Sequence, residues 1–256
     1  MSAVVLELND ICKTYPGVVG ETEDSLGRKA VLANVNLSLQ EGEIYGFVGL
    51  NGAGKTTCIK IALGLTNQDK GEVRIFGQPV NSTNIKKIGF SPEKPGFYDF
   101  LKGEEVLDFS VRLLGFPVNS EAKKKVLEKT GLWGDRRKMV SAYSKGMQQR
   151  LALAAAMLHN PEVYILDEPG SGLDPLGRRN IKEIILDLKR AGKTIFFSTH
   201  ILADISEICD RIGIIHEGRM VFEGGIQEFN PRGIEPEKRF VEIIEAEMSK
   251  SSAILS

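Results

Sequence analysis

The sequence has no excess of either charge and no long apolar run. Its 33 Lys and Arg residues are balanced by 34 Asp and Glu residues, so it lacks the basic field that attracts nucleic acids, and no nucleic-acid partner is expected. No apolar stretch approaches the roughly 18 to 20 residues that a membrane-spanning helix needs. Residues 1–7 also lack the charged region and apolar core of an export signal. The composition therefore predicts a soluble chain.

Cysteine is scarce as well. Cys12, Cys58 and Cys209 are odd in number, far apart and without the spacing of a metal site, so we expect reduced cytoplasmic thiols that pack as small hydrophobic residues. The 256 residues suffice for a full core. They favour one α/β domain with a helical insertion over two independent folds.

Residues 49–57 form the most informative segment, Gly-Leu-Asn-Gly-Ala-Gly-Lys-Thr-Thr. Its glycines let successive N–H groups point inward around phosphate oxygens, while Lys55 reaches the β- and γ-phosphates and the Thr56 hydroxyl ligates Mg²⁺. An apolar strand at residues 43–48 precedes it and a helix at 57–63 follows, which argues against an ordinary glycine-rich turn. The candidate nucleotide-binding residues here are Asn51, Gly52, Ala53, Gly54, Lys55, Thr56 and Thr57.

A second chemical element is the apolar run at residues 163–166, which ends in Asp167 and Glu168. Such a run is typical of a parallel strand that is buried on both faces, and ligands bind at the carboxyl ends of those strands. With a phosphate loop upstream, Asp167 is predicted to hold Mg²⁺ and Glu168 to deprotonate the attacking water. The alternative is an acidic pair that caps a helix after a core strand.

The segment between these elements predicts a helix that begins near Met147, ends at Pro161 and has Ser144 as its N-cap. By itself this is only a capped helix whose N-terminal dipole faces whatever lies in front of Gly146.

The remaining pattern predicts a layered α/β fold. Residues 4–39 alternate apolar and polar side chains, as in antiparallel strands, with an exposed loop within residues 16–29. Residues 92–160 read as helical, with one apolar stripe at Val106, Phe109, Ser110, Leu113 and Leu114. We therefore expect a phosphate-loop NTPase core with a mostly parallel sheet, an antiparallel front sheet and a helical subdomain at about 92–160. In this division residues 1–230 form one ATPase domain, and residues 231–256 form a short helical tail with a stripe at Phe240, Val241, Ile243, Ile244 and Met248.

Five motifs in order resemble the ATP-binding subunit of an ATP-binding cassette (ABC) transporter. They are the phosphate loop, Ser-Lys-Gly-Met-Gln-Gln-Arg-Leu (144–151), Leu-Asp-Glu-Pro (166–169), Ser-Gly-Leu-Asp (171–174) and Ser-Thr-His (198–200). The resemblance covers about residues 6–225 and implies ATP and Mg²⁺ as ligands.

The resemblance also assigns roles to single residues. Ser144 and Gly146, with Met147 in the same signature, would contact the γ-phosphate of an ATP on a second subunit. His200 would clamp the γ-phosphate and the water, and Asp174 would signal across the dimer. The family's adenine-stacking aromatic residue corresponds to Tyr15.

Each of these roles has an alternative. Tyr15 lies on a presumed edge strand, where an aromatic side chain often only covers core. His200 fits a helix cap, and residues 171–174 fit a simple turn before a helix at 178–191.

The sequence departs from the common family pattern at three places. It has Tyr143-Ser144-Lys145-Gly146-Met147 where many members have Leu-Ser-Gly-Gly-Gln, and Glu93 where a Gln that binds Mg²⁺ is usual. Both differences resemble an export branch in which ATPase and membrane subunits are separate chains. The spacing of Tyr15 from Gly49 is also longer than usual, which we attribute to the loop within 16–29.

The resemblance implies a head-to-tail dimer, with a homodimer sufficient, that hydrolyses ATP on the cytoplasmic face of the inner or plasma membrane and drives separately encoded permease subunits. The apolar residues 95–101 are predicted either as the socket for a permease helix or as core. A soluble ABC-type ATPase of DNA maintenance or translation is the alternative, but those relatives carry a coiled-coil insertion or two cassettes. A GTP-dependent switch would need an Asn-Lys-x-Asp motif, which the sequence lacks.

Overall fold

A computed structural model describes residues 3–16 and 28–254 of the chain. The chain forms two compact units, one from Met1–Asn81 with Ser198–Ser256 and the other from Ser82–Phe197. The predicted loop at 16–29 lies mostly outside the described residues, since 17–27 are not among them. Pro16, Arg28 and Lys29 belong to strands, which corrects the predicted bounds of that loop.

The helices and strands follow one another in the order expected of an α/β chain. They are β1 (Val4–Pro16), β2 (Arg28–Gln40), β3 (Ile44–Val48), α1 (Lys55–Ala62), β4 (Lys70–Ile75), β5 (Gln78–Pro79), β6 (Ile88–Ser91), α2 (Gly103–Leu113), α3 (Ser120–Lys129), α4 (Lys145–Met157), β7 (Val163–Asp167), α5 (Pro175–Arg190), β8 (Thr194–Thr199), α6 (Leu202–Ile208), β9 (Arg211–His216), β10 (Arg219–Gly225), α7 (Ile226–Phe229) and α8 (Pro236–Ile254). Short 3-10 turns lie at Ile85–Lys87, Trp133–Asp135 and Val140–Ala142.

The first unit contains the predicted antiparallel front sheet, with strand order β2-β1-β4-β5. Val35, Leu37 and Leu39 on β2 are buried, whereas Asn34 and Asn36, which alternate with them, are exposed, so one face covers the core as the alternation predicts. β1 pairs with β2 on one side and with β4 on the other. The prediction that β1 is an edge strand is therefore wrong between Leu6 and Cys12, where both neighbours pair with it, whereas Tyr15 pairs with Lys29 of β2.

Three further strands of the first unit follow the order β10-β9-β3. β3 runs parallel to β9, and β9 runs antiparallel to β10. Every residue of β3 is buried, as predicted for the strand that leads into the phosphate loop.

The C-terminal helix α8 contacts α6 and β10 in the same unit. Phe240, Ile243 and Ile244 form its buried face, whereas Val241 and Met248 are exposed, so the stripe predicted for the tail is wrong at those two positions. None of the helices within residues 3–16 and 28–254 is long and apolar enough to cross a membrane.

The second unit contains β6, β7 and residues 194–197 of β8, in the strand order β8-β7-β6, with β6 parallel to β7. Helices α2, α3 and α4 lie within the segment 92–160 that was predicted as helical. The predicted stripe of α2 is partly wrong, because Val106, Leu107 and Val111 are its buried apolar residues while Phe109 and Leu113 are exposed. In α5, by contrast, the buried residues are the predicted ones, Ile181, Ile184, Ile185 and Leu188.

Asp69 binds the end of β1 in the first unit through hydrogen bonds and an ion pair. Its carboxylate accepts hydrogen bonds from the backbone N–H of Thr14 at 2.6 Å and the Thr14 hydroxyl at 2.8 Å, and it pairs with the Lys13 ammonium at 2.9 Å. These donors, the Lys13 hydrogen bond foremost, lower the pKa of Asp69 from 3.8 to about 2.

We expect Asp69→Asn to lower the free energy of unfolding near pH 7 and to remove part of its loss in acid. Because the folded pKa is depressed, the stabilising effect of Asp69 is fully present above about pH 4 and is lost as the pH falls towards about 2. Urea unfolding at about pH 7 and about pH 3 measures this. Asp99→Asn is the control, and equal midpoints for Asp69→Asn and the unmutated chain at neutral pH would contradict the prediction.

Candidate nucleotide site

The phosphate loop connects β3 to α1 in the first unit. Gly54 is the N-cap of α1 with a φ of 109°, a left-handed conformation that glycine adopts without strain. A Cβ atom at Gly54 would lie 2.7 Å from Leu32 Cδ2 and 3.2 Å from the Val31 carbonyl oxygen. Gly52 also has a positive φ, 83°, but no atom lies within 4 Å of where its Cβ would be. The loop is therefore tightly supported on one side and open at Gly52.

Lys55 is buried at the start of α1, with 6% of its surface exposed. Its ammonium group donates to the carbonyl oxygens of Gly49, at 2.7 Å, and Leu50, at 3.3 Å. Thr56 is exposed and Thr57 half-buried. A buried ammonium group, helix N–H groups and an exposed hydroxyl fit a phosphate chain with its Mg²⁺.

The other residues of the predicted set in this loop differ in exposure. Asn51 and Gly52 are exposed, whereas Ala53 is buried. The Ala53 backbone donates to the Leu50 carbonyl oxygen at 3.1 Å and accepts from Gly218 at 3.0 Å. Ala53 thus shapes the loop through its backbone.

His200 follows β8 directly and is exposed. It lines a cavity of about 350 Å³ in the first unit, together with Gly49, Leu50 and the α8 residues Phe240 and Ile244. The N-cap of α6 is Ile201, so the alternative that His200 caps this helix is wrong. His200 and the start of the phosphate loop therefore border one space.

Tyr15 lies near the end of β1 and is 37% exposed. The Lys13 ammonium group lies 5.3 Å from its ring centroid, in a cation–π arrangement. The adenine-stacking role stays a prediction.

The second unit holds the two carboxylates at the end of β7. Asp167 and Glu168 are buried, with 2% and 7% of their surfaces exposed. Glu168 has a φ of 49°, which is uncommon outside glycine and is found more often at functional sites. Buried carboxylates at a strand end fit a metal ligand and a general base.

The signature segment, residues 144–151, follows a buried tyrosine and begins with the N-cap of a helix. The buried Tyr143 donates its hydroxyl to the Asp135 carbonyl oxygen at 3.0 Å. Ser144 is the N-cap of α4 and accepts from the Met147 backbone N–H at 3.2 Å, as predicted, although the helix begins two residues earlier than predicted.

A cavity of about 520 Å³ in the second unit is lined by Ser144, Gly146 and Asp174. Asp174 is the N-cap of α5 and accepts from the Gly177 backbone N–H at 2.6 Å. The structural alternative for Asp174, a turn before a helix, is therefore present, and its role across a dimer stays a prediction.

Gln149 makes a contact next to the predicted site residues that the sequence did not reveal. It is buried on α4, and its side-chain amide donates to the Pro92 carbonyl oxygen at 3.3 Å. This bond joins the signature helix to the residue before Glu93. The available signal was a polar residue on an Ala/Leu-rich helix, but its partner lies 57 positions away.

The predicted site residues thus fall into two sets. The first unit contains Tyr15, residues 51–57 and His200. The second contains Glu93, Ser144, Gly146, Met147, Asp167, Glu168 and Asp174.

Comparisons with known proteins identify the family. A family model described as "ABC transporter" matches residues 32–171, more than half of the 256-residue chain. The bacitracin transport ATP-binding protein BcrA of Enterococcus faecalis is 42% identical over 232 residues, which cover 89% of this chain and 71% of that relative. This chain spans 57% to 71% of the length of that and two other curated relatives.

Solved structures agree. The ATP-binding subunit of an ABC transporter superposes with a TM-score of 0.79 at 30% identity over 94% of this chain and 99% of its own. A dimeric ATP-binding cassette, MJ0796, in a post-hydrolysis state bound to ADP and Pi, has a TM-score of 0.74 at 25% identity over 86% and 98% of the two chains. The predicted α/β phosphate-loop fold and the predicted family are both confirmed. The chain belongs to the ABC transporter family and is an ATP-binding subunit that hydrolyses ATP.

Proposed function

We propose that two copies of this chain, arranged head to tail, hydrolyse Mg-ATP and drive separately encoded permease subunits in the direction of export. The relative named for bacitracin transport supports the coupling of ATP hydrolysis to transport, and the departures of the signature from the common family pattern are the reason for proposing export. The observation behind the coupling to a permease is an exposed aromatic patch in the second unit, formed by Tyr98, Phe100 and Phe109. The proposal places the subunit peripherally on the cytoplasmic face of the membrane.

Each site residue has a chemical task in this proposal. Lys55 binds the β- and γ-phosphates, while Glu168 orients and deprotonates the attacking water, with His200 at the γ-phosphate. Thr56, Asp167 and Glu93 are the candidates to hold Mg²⁺, which when bound neutralises charge on the phosphate oxygens.

We expect Glu168→Gln to lower ATP turnover by a factor of at least ~10², because the amide cannot accept the proton of the water. Since the shape and the phosphate contacts remain, ATP-bound dimers should accumulate. Steady-state phosphate release and size-exclusion chromatography with ATP measure the two effects. Glu162→Gln, at an exposed position before β7, is the matched control. Turnover near that of the unmutated chain would remove Glu168 from the base role.

The proposed nucleotide site is shared by two copies of the chain, and this composite site includes the cavity of the second unit. Ser144 and Gly146 line this cavity at the capped N-terminus of α4, where helix N–H groups favour an anion. The dimeric cassette bound to ADP and Pi shows that relatives of this fold associate in pairs. We infer that the γ-phosphate of a second copy's ATP enters here.

We expect Ser144→Arg to block ATP-driven dimerisation and to lower ATPase activity about tenfold or more, because the long Arg side chain fills the cavity that the small Ser side chain leaves open. Binding of Mg-ATP to the monomer should persist. Calorimetry at low protein concentration and sedimentation with ATP separate these effects. Ser141→Arg, at a nearby exposed position outside the cavity lining, is the control. The unmutated chain should also gain specific activity with concentration, and concentration-independent activity of a monomer would contradict the composite site.

The aromatic patch consists of Tyr98, Phe100 and Phe109. The Tyr98 ring stacks on Phe100 at 5.5 Å and meets Phe109 edge-on at 6.0 Å, yet the three side chains are 55%, 71% and 44% exposed. The alternative that residues 95–101 are core therefore fails for Tyr98 and Phe100. Contiguous exposed aromatic rings are typical of a surface that binds another protein. We assign this patch to a cytoplasmic helix of the permease.

Glu93 lies five residues before Tyr98 and next to the Pro92 carbonyl that Gln149 binds. It is half-buried, and no ion pair or hydrogen bond joins its carboxylate to the parts of the chain that the structure describes. A carboxylate attracts Mg²⁺ more strongly than the neutral amide of a Gln.

We therefore expect Glu93→Gln to keep most of the ATPase activity but to raise the Mg²⁺ concentration needed for half-maximal activity. Glu93→Ala should also weaken stimulation by the permease, because the metal contact and the link to the patch are both lost. ATPase activity against Mg²⁺ concentration, with and without permease in vesicles, tests this, with Glu128→Ala on α3 as control. If Glu93→Ala gives the curves of the unmutated chain in both conditions, Glu93 neither binds the metal nor couples.

A further inference from the structure

Lys145 is a cation of the signature segment that has no task in the proposed mechanism. It is the first residue of α4, it is exposed, and it lines the 520 Å³ cavity. Within residues 3–16 and 28–254, no carboxylate forms an ion pair with its ammonium group and no acceptor takes a hydrogen bond from it. Its charge is therefore available to a ligand in the cavity.

The Lys145 side chain rests on Gly172. A Cβ atom at residue 172 would lie 3.2 Å from Lys145 Cδ and 3.0 Å from Cε, and it would collide with the ammonium nitrogen. Gly172 also has a φ of 70°, which other residues adopt only with strain. The glycine thus provides the place where the side chain lies. This contact is van der Waals packing, so an ionic ligand can displace the ammonium group without breaking an ion pair.

The cavity carries an excess of positive charge. Arg150 also lines it, and within the described part of the chain its hydrogen bonds go to the carbonyl oxygens of Thr130, at 3.0 Å, and Gly146, at 3.4 Å. Among the described residues that line the cavity, Asp174 is the single carboxylate, and one of its oxygens accepts a hydrogen bond from the Gly177 backbone N–H. Two cations against one carboxylate favour a ligand with several negative charges, such as a phosphate group.

We propose that Lys145 binds the terminal phosphate of the nucleoside triphosphate that a second copy of this chain brings to the cavity, and that it leaves Gly172 to do so. This inference rests on the composite site proposed above and adds a specificity residue to it. A glycine at position 145, as in the common signature, has no side chain that reaches a phosphate. Because ADP lacks the terminal phosphate, this contact adds to the preference of dimer closure for the triphosphate.

The test uses Lys145→Met in the full chain that also carries Glu168→Gln, since methionine keeps an unbranched side chain over Gly172 and removes the charge. The ATP concentration for half-maximal dimerisation, measured by sedimentation, should rise about tenfold, as expected for one lost charge-assisted hydrogen bond. Lys145→Arg should stay within about threefold of the unmutated residue, because it keeps the charge. Binding of Mg-ATP to the monomer should not change, since Lys145 serves the nucleotide of the other copy.

Lys125→Met, on the exposed face of α3 in the same unit, controls for loss of a positive charge elsewhere. The proposal is overturned if Lys145→Met dimerises like this control, and equally if it weakens binding of Mg-ATP to the monomer by the same factor. Ser144→Arg separates the two levels of inference. If Ser144→Arg still dimerises with ATP, the composite site fails; if it is blocked while Lys145→Met is unaffected, only the role of Lys145 fails.

Discussion

A buried positive charge constrains the chemistry of the first unit. The Lys55 ammonium group is nearly inaccessible to water, and burying such a group is unfavourable unless polar atoms surround it. The carbonyl oxygens of Gly49 and Leu50 provide this, which requires the loop to turn back on itself. Gly54 permits that turn, and α1 begins where the turn ends. Because carbonyl groups orient the ammonium without neutralising it, its positive charge suits the phosphate-binding role proposed for the loop.

The parts of the site that depend on contiguous residues could be predicted from the sequence. The phosphate loop, the buried run before Asp167 and the Ser144 cap each need only a few neighbouring residues, so composition and spacing were sufficient. The alternation at Val35, Leu37 and Leu39 likewise identified the buried face of a strand, because a strand alternates its side chains between two faces whatever its partners are.

The features that depend on distant residues could not be predicted. The spacing of apolar residues in α2 predicted a helix. Which of those residues are buried depends on what packs against the helix, and Phe109 and Leu113 are exposed. β1 was expected at an edge because nothing local announces that β4 pairs with it. The Gln149 bond to Pro92 and the packing of Lys145 on Gly172 join residues far apart in the chain, beyond the reach of local patterns.

The hydrogen bond from Gln149 to the Pro92 carbonyl oxygen connects α4 to the segment that contains Glu93. Ser144 and Gln149 lie at the start and in the middle of α4, and a helix of 13 residues moves as a rigid element. Pro92, the acceptor, directly precedes Glu93 and lies six residues before Tyr98. In the proposed mechanism, a nucleotide that displaces α4 at Ser144 either carries Pro92 with it or leaves a buried amide without its acceptor, which is unfavourable. The bond thus links the signature helix to the segment that carries the metal candidate and the aromatic patch.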